Sequence, residues 1–338
     1  MTSSSHGSYG KIVISGGLGF LGSNLAHALA KSCRSLHIID NHEPGLGANR
    51  FNVAGIDSRV HLHNIDLRSS DDLLRDIFVD TDLFLHCAGN GDHGASMRDP
   101  LRDLELNAGV LLRVMQALRV VAPSCRLITV GSRAEYGPTD RLPVAEDERT
   151  RPLGCYAISK LAATQYALAY ARHYAMDIVV LRSTNIFGER AQMAHPGYGV
   201  ANWFLRQALC GEPITIFGDG KISRDYVYVR DFVSAVLKIA HCRDARGRVI
   251  NIGGTPRTSL LALADAAIAA SGSGTIQFRP YPETKRALEP GDFQADVSLL
   301  ERLVAWRPST PLDVGMRATA DYYRTCLGSY GCAPREIT

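Results

Sequence analysis

Short apolar runs alternate with helical patterns through the first half of the chain. The runs that predict strands cover residues 11–15, 36–40, 60–65, 82–87 and 126–130, with a sixth at 177–182. Helical periodicity covers residues 20–31, 70–78, 101–121 and 156–174. Strands that alternate with helices in this way predict an α/β fold with a doubly wound parallel sheet of the Rossmann type.

The pattern changes after residue 182. Residues 189–199 are rich in Gly, Pro and polar residues and predict a loop. The later elements are helices at 200–210, 230–240 and 259–270 and shorter strands at 214–217, 249–252 and 275–278. We therefore expect a smaller, mixed α/β C-terminal lobe that binds the substrate, with a cleft between the two lobes.

The two lobes are expected to share the chain unequally. The Rossmann lobe would comprise residues 11–182, with returning segments near 226–256. The substrate lobe would comprise residues 183–225 and 257–325, and residues 1–10 and 328–338 are expected to be flexible tails.

Composition and charge narrow the function. The 338 residues are 46% hydrophobic, enough for a large core, and the formal net charge of +3 gives no electrostatic basis for binding nucleic acid. Eight cysteines are scattered without a CxxC pair or zinc-ligand spacing, so no metal site is expected. The first residues lack the apolar core of a signal peptide, and no apolar run reaches membrane-spanning length. We expect a reduced, soluble, cytoplasmic protein without a membrane partner.

A glycine-rich turn at residues 16–22 follows the first predicted strand and opens the first predicted helix. Gly16 would permit the tight turn, Gly19 would let a pyrophosphate approach the backbone, and Gly22 would let helix and strand pack closely. The helix N-terminus would then face the phosphates with free N–H groups. The turn therefore predicts a dinucleotide site.

The second and third predicted strands indicate which dinucleotide binds. Asp40 ends the second strand, where a carboxylate would bind both ribose hydroxyls and repel a 2′-phosphate, so NAD is predicted rather than NADP. Asp66 and Leu67 follow the third strand, where the adenine edge would lie. The remaining predicted contacts with NAD are Phe20, Leu21, Asn41, Ala88, Asn107, Tyr156 and Lys160.

Tyr156 and Lys160 stand four residues apart on a predicted helix and so share one face. A free tyrosine has a pKa near ~10, but a neighbouring ammonium and a positively charged nicotinamide would both favour the phenolate. Tyr156 is therefore a candidate general base, and Lys160 would also bind the nicotinamide ribose. Ser132 follows the fifth strand, at the sheet edge where ligands bind, and can hydrogen-bond a reacting hydroxyl.

These motifs resemble the extended short-chain dehydrogenase/reductase family, in its nucleotide-sugar epimerase/dehydratase branch. The resemblance runs from about residue 11 to 319. It is carried by SGGLGFLGSN at 15–24, DPLRDLELN at 99–107, YAISK at 156–160, LRSTNIFG at 181–188, FGDGKISRDYVYVRD at 217–231 and NIGG at 251–254. It implies hydride transfer between sugar C4 and NAD, and a homodimer formed through the helix that carries Tyr156 and the helix before it.

The resemblance also implies a nucleoside diphosphate sugar as the substrate. Asn185 would contact the diphosphate or the sugar, and Arg224 and Arg286 would clamp the diphosphate, because a planar guanidinium pairs with phosphate oxygens. His93, His173 and His195 have no partner pattern for a metal or a catalytic triad and are expected at the surface or in loops.

The loop after Ser132 separates the reactions of this branch. Dehydratases of the family carry an Asp-Glu pair directly after the hydroxyl residue, and decarboxylases carry an acid two positions after it; here these positions hold Arg133 and Ala134. The sequence therefore favours a 4-epimerase that acts through a transient 4-keto intermediate, on a UDP-hexose or UDP-uronic acid for example.

Two alternatives stay open beside the 4-epimerase. The nearest is a dehydratase or decarboxylase on the same scaffold, and a different class is a non-catalytic NAD-binding protein. Arg133 could pair with a carboxylate on the sugar, which would indicate a uronic acid substrate. Glu135 could supply an acid from another direction, which would permit elimination.

Overall fold

Seven parallel strands form the central sheet in the computed structural model, which describes residues 9–69 and 71–332. The strands of the described residues are β1 Tyr9–Ser15, β2 Cys33–Ile39, β3 Val60–His63, β4 Leu83–His86, β5 Arg126–Ser132, β6 Asp177–Ser183, β7 Asn185–Phe187, β8 Ile214–Phe217, β9 Ser223–Arg224, β10 Tyr226–Tyr228, β11 Val249–Ile252, β12 Thr258–Ser259 and β13 Ile276–Arg279. The sheet order is β11-β6-β5-β4-β1-β2-β3, and every pair is parallel. This order confirms the predicted doubly wound sheet.

Helices cover both faces of this sheet and build most of the second lobe. They are α1 Phe20–Leu29, α2 Asp71–Phe78, α3 His93–Arg98, α4 Pro100–Leu104, α5 Val110–Val121, α6 Cys155–His173, α7 Val200–Leu209, α8 Val229–Ala240, α9 Leu260–Ser271, α10 Glu283–Arg286, α11 Ser298–Val304 and α12 Leu312–Cys326. The structure adds short 3-10 helices at Arg50–Val53, Asp57–Arg59, Arg133–Glu135, Arg243–Ala245 and Leu327–Tyr330. In the described part of the chain, no helix combines the length and the apolar character needed to span a membrane.

Strand β1 shows how the sheet is buried on both faces. Ile12 and Ile14 belong to a core shared with α1 and α8, whereas Val13 belongs to a core shared with α2, α5 and α6. All three side chains are fully buried. An apolar run without alternation is typical of a parallel strand that is covered by helices on both sides.

A separate core holds the smaller lobe together. Helices α7 and α9 pack on β8, α12 packs on these two helices, and Phe204, Leu263 and Met316 are buried in the same core. The sequence pattern predicts neither α11 nor α12, and it assigns residues 257–325 to this lobe. In the structure, the segment from Phe293 to Trp306 packs on the first core, with α11 against β11 and α8.

The last described residues are packed against the rest of the protein. Tyr330 is buried, its hydroxyl donates a hydrogen bond to Asn52 Oδ1 at 2.5 Å, and its ring centroid lies 5.0 Å from that of Tyr323. Within the segment expected as a C-terminal tail, an aromatic ring thus packs residues 328–332 against the rest of the protein. Residues 9 and 10 belong to β1, while residues 1–8 and 333–338 lie outside the described residues.

Candidate active site

The carboxyl ends of β1, β4 and β5 border a cavity of about 340 Å³. The strand order reverses between β1 and β4, which is the point where doubly wound sheets bind their ligands. The cavity has two ends. Gly16, Gly19, Asp40 and Asp66 line the cofactor end, and Ser132, Tyr156 and Asn185 line the reaction end.

The glycine turn has the shape that a pyrophosphate site requires. Gly16 has a φ of +65°, which glycine adopts without strain, and a Cβ at Gly22 would lie 2.3 Å from the Gly16 carbonyl oxygen. Helix α1 begins directly after Gly19, which has no side chain to cap it. The first N–H groups of α1 therefore remain available for an anion, so the turn fits the pyrophosphate of NAD.

Two carboxylates lie beyond the glycine turn. Asp40 accepts hydrogen bonds from the backbone N–H groups of Leu18 at 3.1 Å and His42 at 3.0 Å, and burial raises the pKa of this carboxyl. Asp66 is held by Arg68, whose hydrogen bond from Nε at 2.9 Å lowers the pKa of Asp66. The backbone bonds fix Asp40 at the cavity wall and leave lone pairs for two hydroxyl groups, as a ribose would need.

Most of the predicted cofactor residues border this cavity. Those that line it are Gly16, Gly19, Phe20, Leu21, Asp40, Asn41, Asp66, Leu67, Ala88, Tyr156 and Lys160. Gly22 does not line it but packs behind the turn. Asn107 lies elsewhere as well, in a separate cavity of about 10 Å³ that it shares with His86 and Lys160.

A break in the predicted helix over residues 101–121 places Asn107 there. The π-helical turn Glu105–Gly109 stands between α4 and α5, and such turns occur frequently at functional sites. Asn107 Nδ2 donates a hydrogen bond to Asp103 Oδ1 at 3.0 Å. The structure therefore puts Asn107 behind Lys160 and not in the cofactor cavity.

Ser132, Tyr156 and Lys160 face the reaction end together. Ser132 ends β5, and Tyr156 and Lys160 lie on consecutive turns of α6. Burial raises the pKa of Tyr156 to about 12, and a hydrogen bond with Ser132 acts in the opposite direction. Lys160 Nζ donates a hydrogen bond to the Val130 carbonyl at 3.1 Å, and burial lowers the pKa of the ammonium. Positive charge beside Tyr156 is what would favour its phenolate.

Glu135 lies next to this site but does not face the cavity. Its side chain is 0% exposed and accepts hydrogen bonds from Ser132 N–H at 2.9 Å, Arg182 Nε at 2.7 Å and Thr164 Oγ1 at 2.9 Å. The structure does not place Glu135 where an acid for elimination would stand, because protein donors enclose and occupy its oxygens.

Arg133 brings positive charge to the reaction end. It lines the cavity, and its guanidinium lies 5.4 Å from the centroid of the Phe293 ring. Burial lowers the pKa of Arg133 to about 10, and the nearby Arg224 contributes to this. Within residues 9–69 and 71–332, no ion pair joins Arg133 to a carboxylate. The cation is therefore available to an anionic group in the cavity.

The other predicted substrate residues are placed differently from one another. Asn185 lines the cavity, and its Nδ2 donates a hydrogen bond to the Asp225 carbonyl at 3.1 Å. Arg224 pairs with Glu289, and Arg286 is exposed at the end of α10; neither lines the cavity. The expected arginine clamp is thus not formed, because Glu289 occupies Arg224 and α10 carries Arg286 away.

The structure also adds residues that sequence reasoning missed. His93, the first residue of α3, lines the cavity with its ring centroid 4.5 Å from that of Tyr156, and it remains exposed as expected of a surface residue. Its neighbour Asp92, a favoured N-cap residue, was the signal that a helix begins at His93. Glu43 lines the cofactor end and pairs with Arg68 at 2.8 Å and Arg102 at 2.7 Å.

Known proteins are similar to this chain in sequence and in architecture. A family model described as the NAD dependent epimerase/dehydratase family matches residues 12–253. CDP-paratose 2-epimerase of Salmonella typhi is 29% identical, over 92% of this chain and 98% of its own length. UDP-glucose 4-epimerase of Thermotoga maritima, solved with UDP-glucose, has a TM-score of 0.85 and 25% identity, with 94% and 99% of the two chains covered. UDP-glucuronic acid 4-epimerase of Bacillus cereus, solved with UDP-glucuronic acid and NAD, has a TM-score of 0.81 and 27% identity, with 93% and 99% covered.

Proposed function

Because the chain belongs to the NAD dependent epimerase/dehydratase family, we propose that it epimerises a nucleoside diphosphate sugar at C4. The family match confirms the resemblance read from the sequence, and NAD is the cofactor. The observation that carries the proposal is the joint placement of Ser132, Tyr156 and Lys160 on one cavity with the glycine turn, while Arg133 and Ala134 bring no carboxylate to it.

Tyr156, Ser132 and Lys160 each have a separate role in the proposed reaction. When bound, NAD supplies a reversible hydride acceptor. Tyr156 takes the proton of the C4 hydroxyl, Ser132 orients that hydroxyl by a hydrogen bond, and the Lys160 ammonium favours the phenolate form of Tyr156. Tyr156 later returns the proton when the hydride reaches the opposite face of the 4-keto sugar. No further acid is needed, which agrees with a reaction end without a free carboxylate.

Elimination, the main competing reaction, needs an acid that the reaction end of this cavity lacks among the described residues. Elimination of water requires an acid to protonate the leaving hydroxyl. Residues 133 and 134 are Arg and Ala, and the carboxylate of Glu135 is sealed behind Ser132. A dehydratase or decarboxylase remains the alternative reaction. No carboxylate that could serve it lines the reaction end among the described residues.

Arg133 favours a substrate whose sugar carries a carboxylate, such as a uronic acid. The guanidinium borders the cavity one residue after Ser132 and has no ionic partner in the described part of the chain. A buried cation without a partner is costly, and a ligand carboxylate would remove that cost. Asn185, on the same cavity, is the proposed polar contact with the sugar or the diphosphate.

The assembly and location that we propose follow the sequence expectations. Exposed apolar side chains stand on α4 and α6, where Leu101 is 79%, Leu104 44% and Ile158 52% exposed. A homodimer through these helices would cover them. Light scattering of the purified protein tests the dimer. All cysteines of the described residues are free thiols, and we place the protein in the cytoplasm on that basis.

A panel of nucleotide sugars tests the reaction. The protein is incubated with neutral and uronic acid sugars on several bases, and the products are analysed by mass spectrometry and NMR. An unchanged mass with inverted C4 supports the proposal. Loss of water, loss of carbon dioxide, or inversion at C2 in place of C4 would each replace it with a different reaction.

A further inference from the structure

Glu135 occupies an unusual position for a carboxylate. It follows β5 by three residues, inside the 3-10 helix Arg133–Glu135, and it is 0% exposed. A buried charge is costly unless it is paired and hydrogen-bonded, so a role for it should be visible in its partners. The proposed chemistry does not use this group.

One oxygen of Glu135 holds Ser132. Glu135 Oε1 accepts the backbone N–H of Ser132 at 2.9 Å, while the Ser132 Oγ accepts the N–H of Ala134 at 3.1 Å. These reciprocal bonds form a capping box, which fixes both the backbone and the side-chain rotamer of Ser132. The capping box does not use the hydroxyl proton of Ser132, which remains for donation on the side where Tyr156 lies.

The other oxygen of Glu135 reaches two further elements. Oε2 accepts a hydrogen bond from the Thr164 hydroxyl at 2.9 Å and another from Arg182 Nε at 2.7 Å. Thr164 lies on α6, one turn after Lys160 and two turns after Tyr156. The same carboxylate thus joins the serine at the end of β5 to the helix that carries the other two catalytic residues.

The position of the Glu135 carboxylate depends on a glycine at residue 131 of β5, because a side chain there would collide with it. A Cβ on Gly131 would lie 2.6 Å from Glu135 Oε1. Arg182, on β6, stacks over the Tyr136 ring with its guanidinium carbon 4.6 Å from the centroid, and the Tyr136 hydroxyl donates to Asn251 Oδ1 at 2.8 Å. The carboxylate and its main cation are therefore both fixed from several sides.

We infer that Glu135 is a positioning residue, whose carboxylate fastens Ser132 to α6 and so sets how the Ser132 and Tyr156 hydroxyls meet one substrate atom. The inference rests on the proposed function. Glu135 does not touch the substrate, because it lies outside the cavity. Its effect on the reaction passes through Ser132 and, by its charge, through Tyr156 and Lys160.

The negative charge of Glu135 shifts the pKa of its neighbours in a direction that can be measured. The negative charge of Glu135 raises the pKa of Tyr156 and of Lys160, although burial is the largest influence on each. Among the described residues, the other titratable groups that face this pair are Asp103, Arg133, His86, His93, Tyr198 and Cys87. Loss of the Glu135 charge should therefore move the titration of Tyr156 to lower pH, and with it the acidic limb of the kcat profile.

The test compares two variants with a matched control. Glu135→Gln removes the charge and turns a donor toward Arg182 Nε; Thr164→Val removes one hydrogen bond and keeps the charge. Glu146→Gln is the control, because Glu146 is also a partly buried carboxylate that accepts a backbone N–H, that of Asn251 at 2.9 Å, away from Ser132. Thermal melting and bound NAD are measured for all three.

We expect kcat to fall about 10- to 100-fold in E135Q with little change in KM, because misplacement of a catalytic group lowers the rate and spares binding. In T164V, kcat should fall about 3- to 10-fold while its pH profile is unchanged. In E146Q, both kcat and its pH profile should be unchanged. The titration of Tyr156 is followed by ¹³C NMR of labelled tyrosine in the NAD-loaded protein, with Y156F to assign the signal, and should move to lower pH only in E135Q.

Two results overturn the inference. One is an unchanged kcat in both E135Q and T164V, and the other is a Tyr156 titration that stays in place in E135Q. If E135Q does not fold, T164V alone decides through kcat. If the native protein converts no sugar nucleotide, the proposed function fails, and the NMR titration still decides on Glu135.

Discussion

The two ends of the cavity are built in different ways. The cofactor end rests on backbone, with the N–H groups of α1, the turn at Gly16 and a carboxylate, Asp40, that backbone bonds hold in place. The reaction end rests on side chains that come from β5, α6 and β7 and meet only in the folded protein. A backbone site tolerates side-chain change but not a change of shape, whereas a side-chain site depends on individual functional groups.

The sharpest test of the reaction end is Tyr156→Phe. Removal of the phenol removes the general base, so turnover should fall by about 10²- to 10⁴-fold while NAD stays bound. Turnover and the ratio of NAD to protein are measured on the same sample. Tyr166→Phe on the exposed side of α6 is the matched control and should leave turnover unchanged. Retained turnover in Y156F would remove Tyr156 from the mechanism.

At the cofactor end, Gly22→Ala should be the damaging change. The new Cβ would lie 2.3 Å from the Gly16 carbonyl oxygen, so the turn must shift. Overpacking of this size costs about 1–3 kcal/mol, and we expect NAD binding to weaken about 10- to 100-fold in calorimetry. Gly328→Ala, where a Cβ meets nothing within 4 Å, serves as the control. Unchanged affinity in G22A would contradict the backbone account of this end.

Arg133 separates substrate classes at the reaction end. Arg133→Ala should raise the KM for a uronic acid sugar about tenfold and spare a neutral sugar, since only the former loses a charged partner. Arg133→Lys should recover part of the loss, and Arg286→Ala, at an exposed position, should have no effect. Equal losses on both sugars would show that Arg133 contacts a group common to both.

The smallest expected effect is on the pH dependence of stability, and it comes from His37 on β2, the strand that Asp40 follows. Burial, aided by Lys11, His61 and His63, lowers the pKa of His37 to about 4, below its ordinary value near ~6.5. The fold therefore prefers neutral His37, and this stabilisation is complete above about pH 6.5 and is lost as the pH falls toward 4. Thermal melting between pH 7 and 4.5 should decline less in His37→Gln than in the native protein. Parallel declines would contradict this.

The sequence predicts the cofactor end better than the reaction end for a physical reason. Gly16, Gly19 and Gly22 act within one turn, so their spacing states the geometry. The central strands are likewise visible as apolar runs because helices bury both of their faces. Local patterns of this kind need no knowledge of the rest of the fold.

Contacts between distant residues explain what the sequence could not show. Arg224 was a reasonable ligand for a diphosphate until Glu289, 65 residues later, was seen to pair with it. Glu135 is enclosed by Thr164 and Arg182, 29 and 47 residues away. The sequence pattern does not predict helix α11, because its seven residues are too few to display a helical period.

The packing of Tyr330 has a consequence for the glycine turn near the other end of the chain. Tyr330 bonds to Asn52, whose Nδ2 in turn donates to the Leu18 carbonyl at 2.8 Å, inside the glycine turn. The contact joins residues 278 positions apart, so the glycine turn is braced by a segment that is far from it in the sequence. Loss of the Tyr330 ring would therefore loosen the pyrophosphate end of the site from outside the cavity.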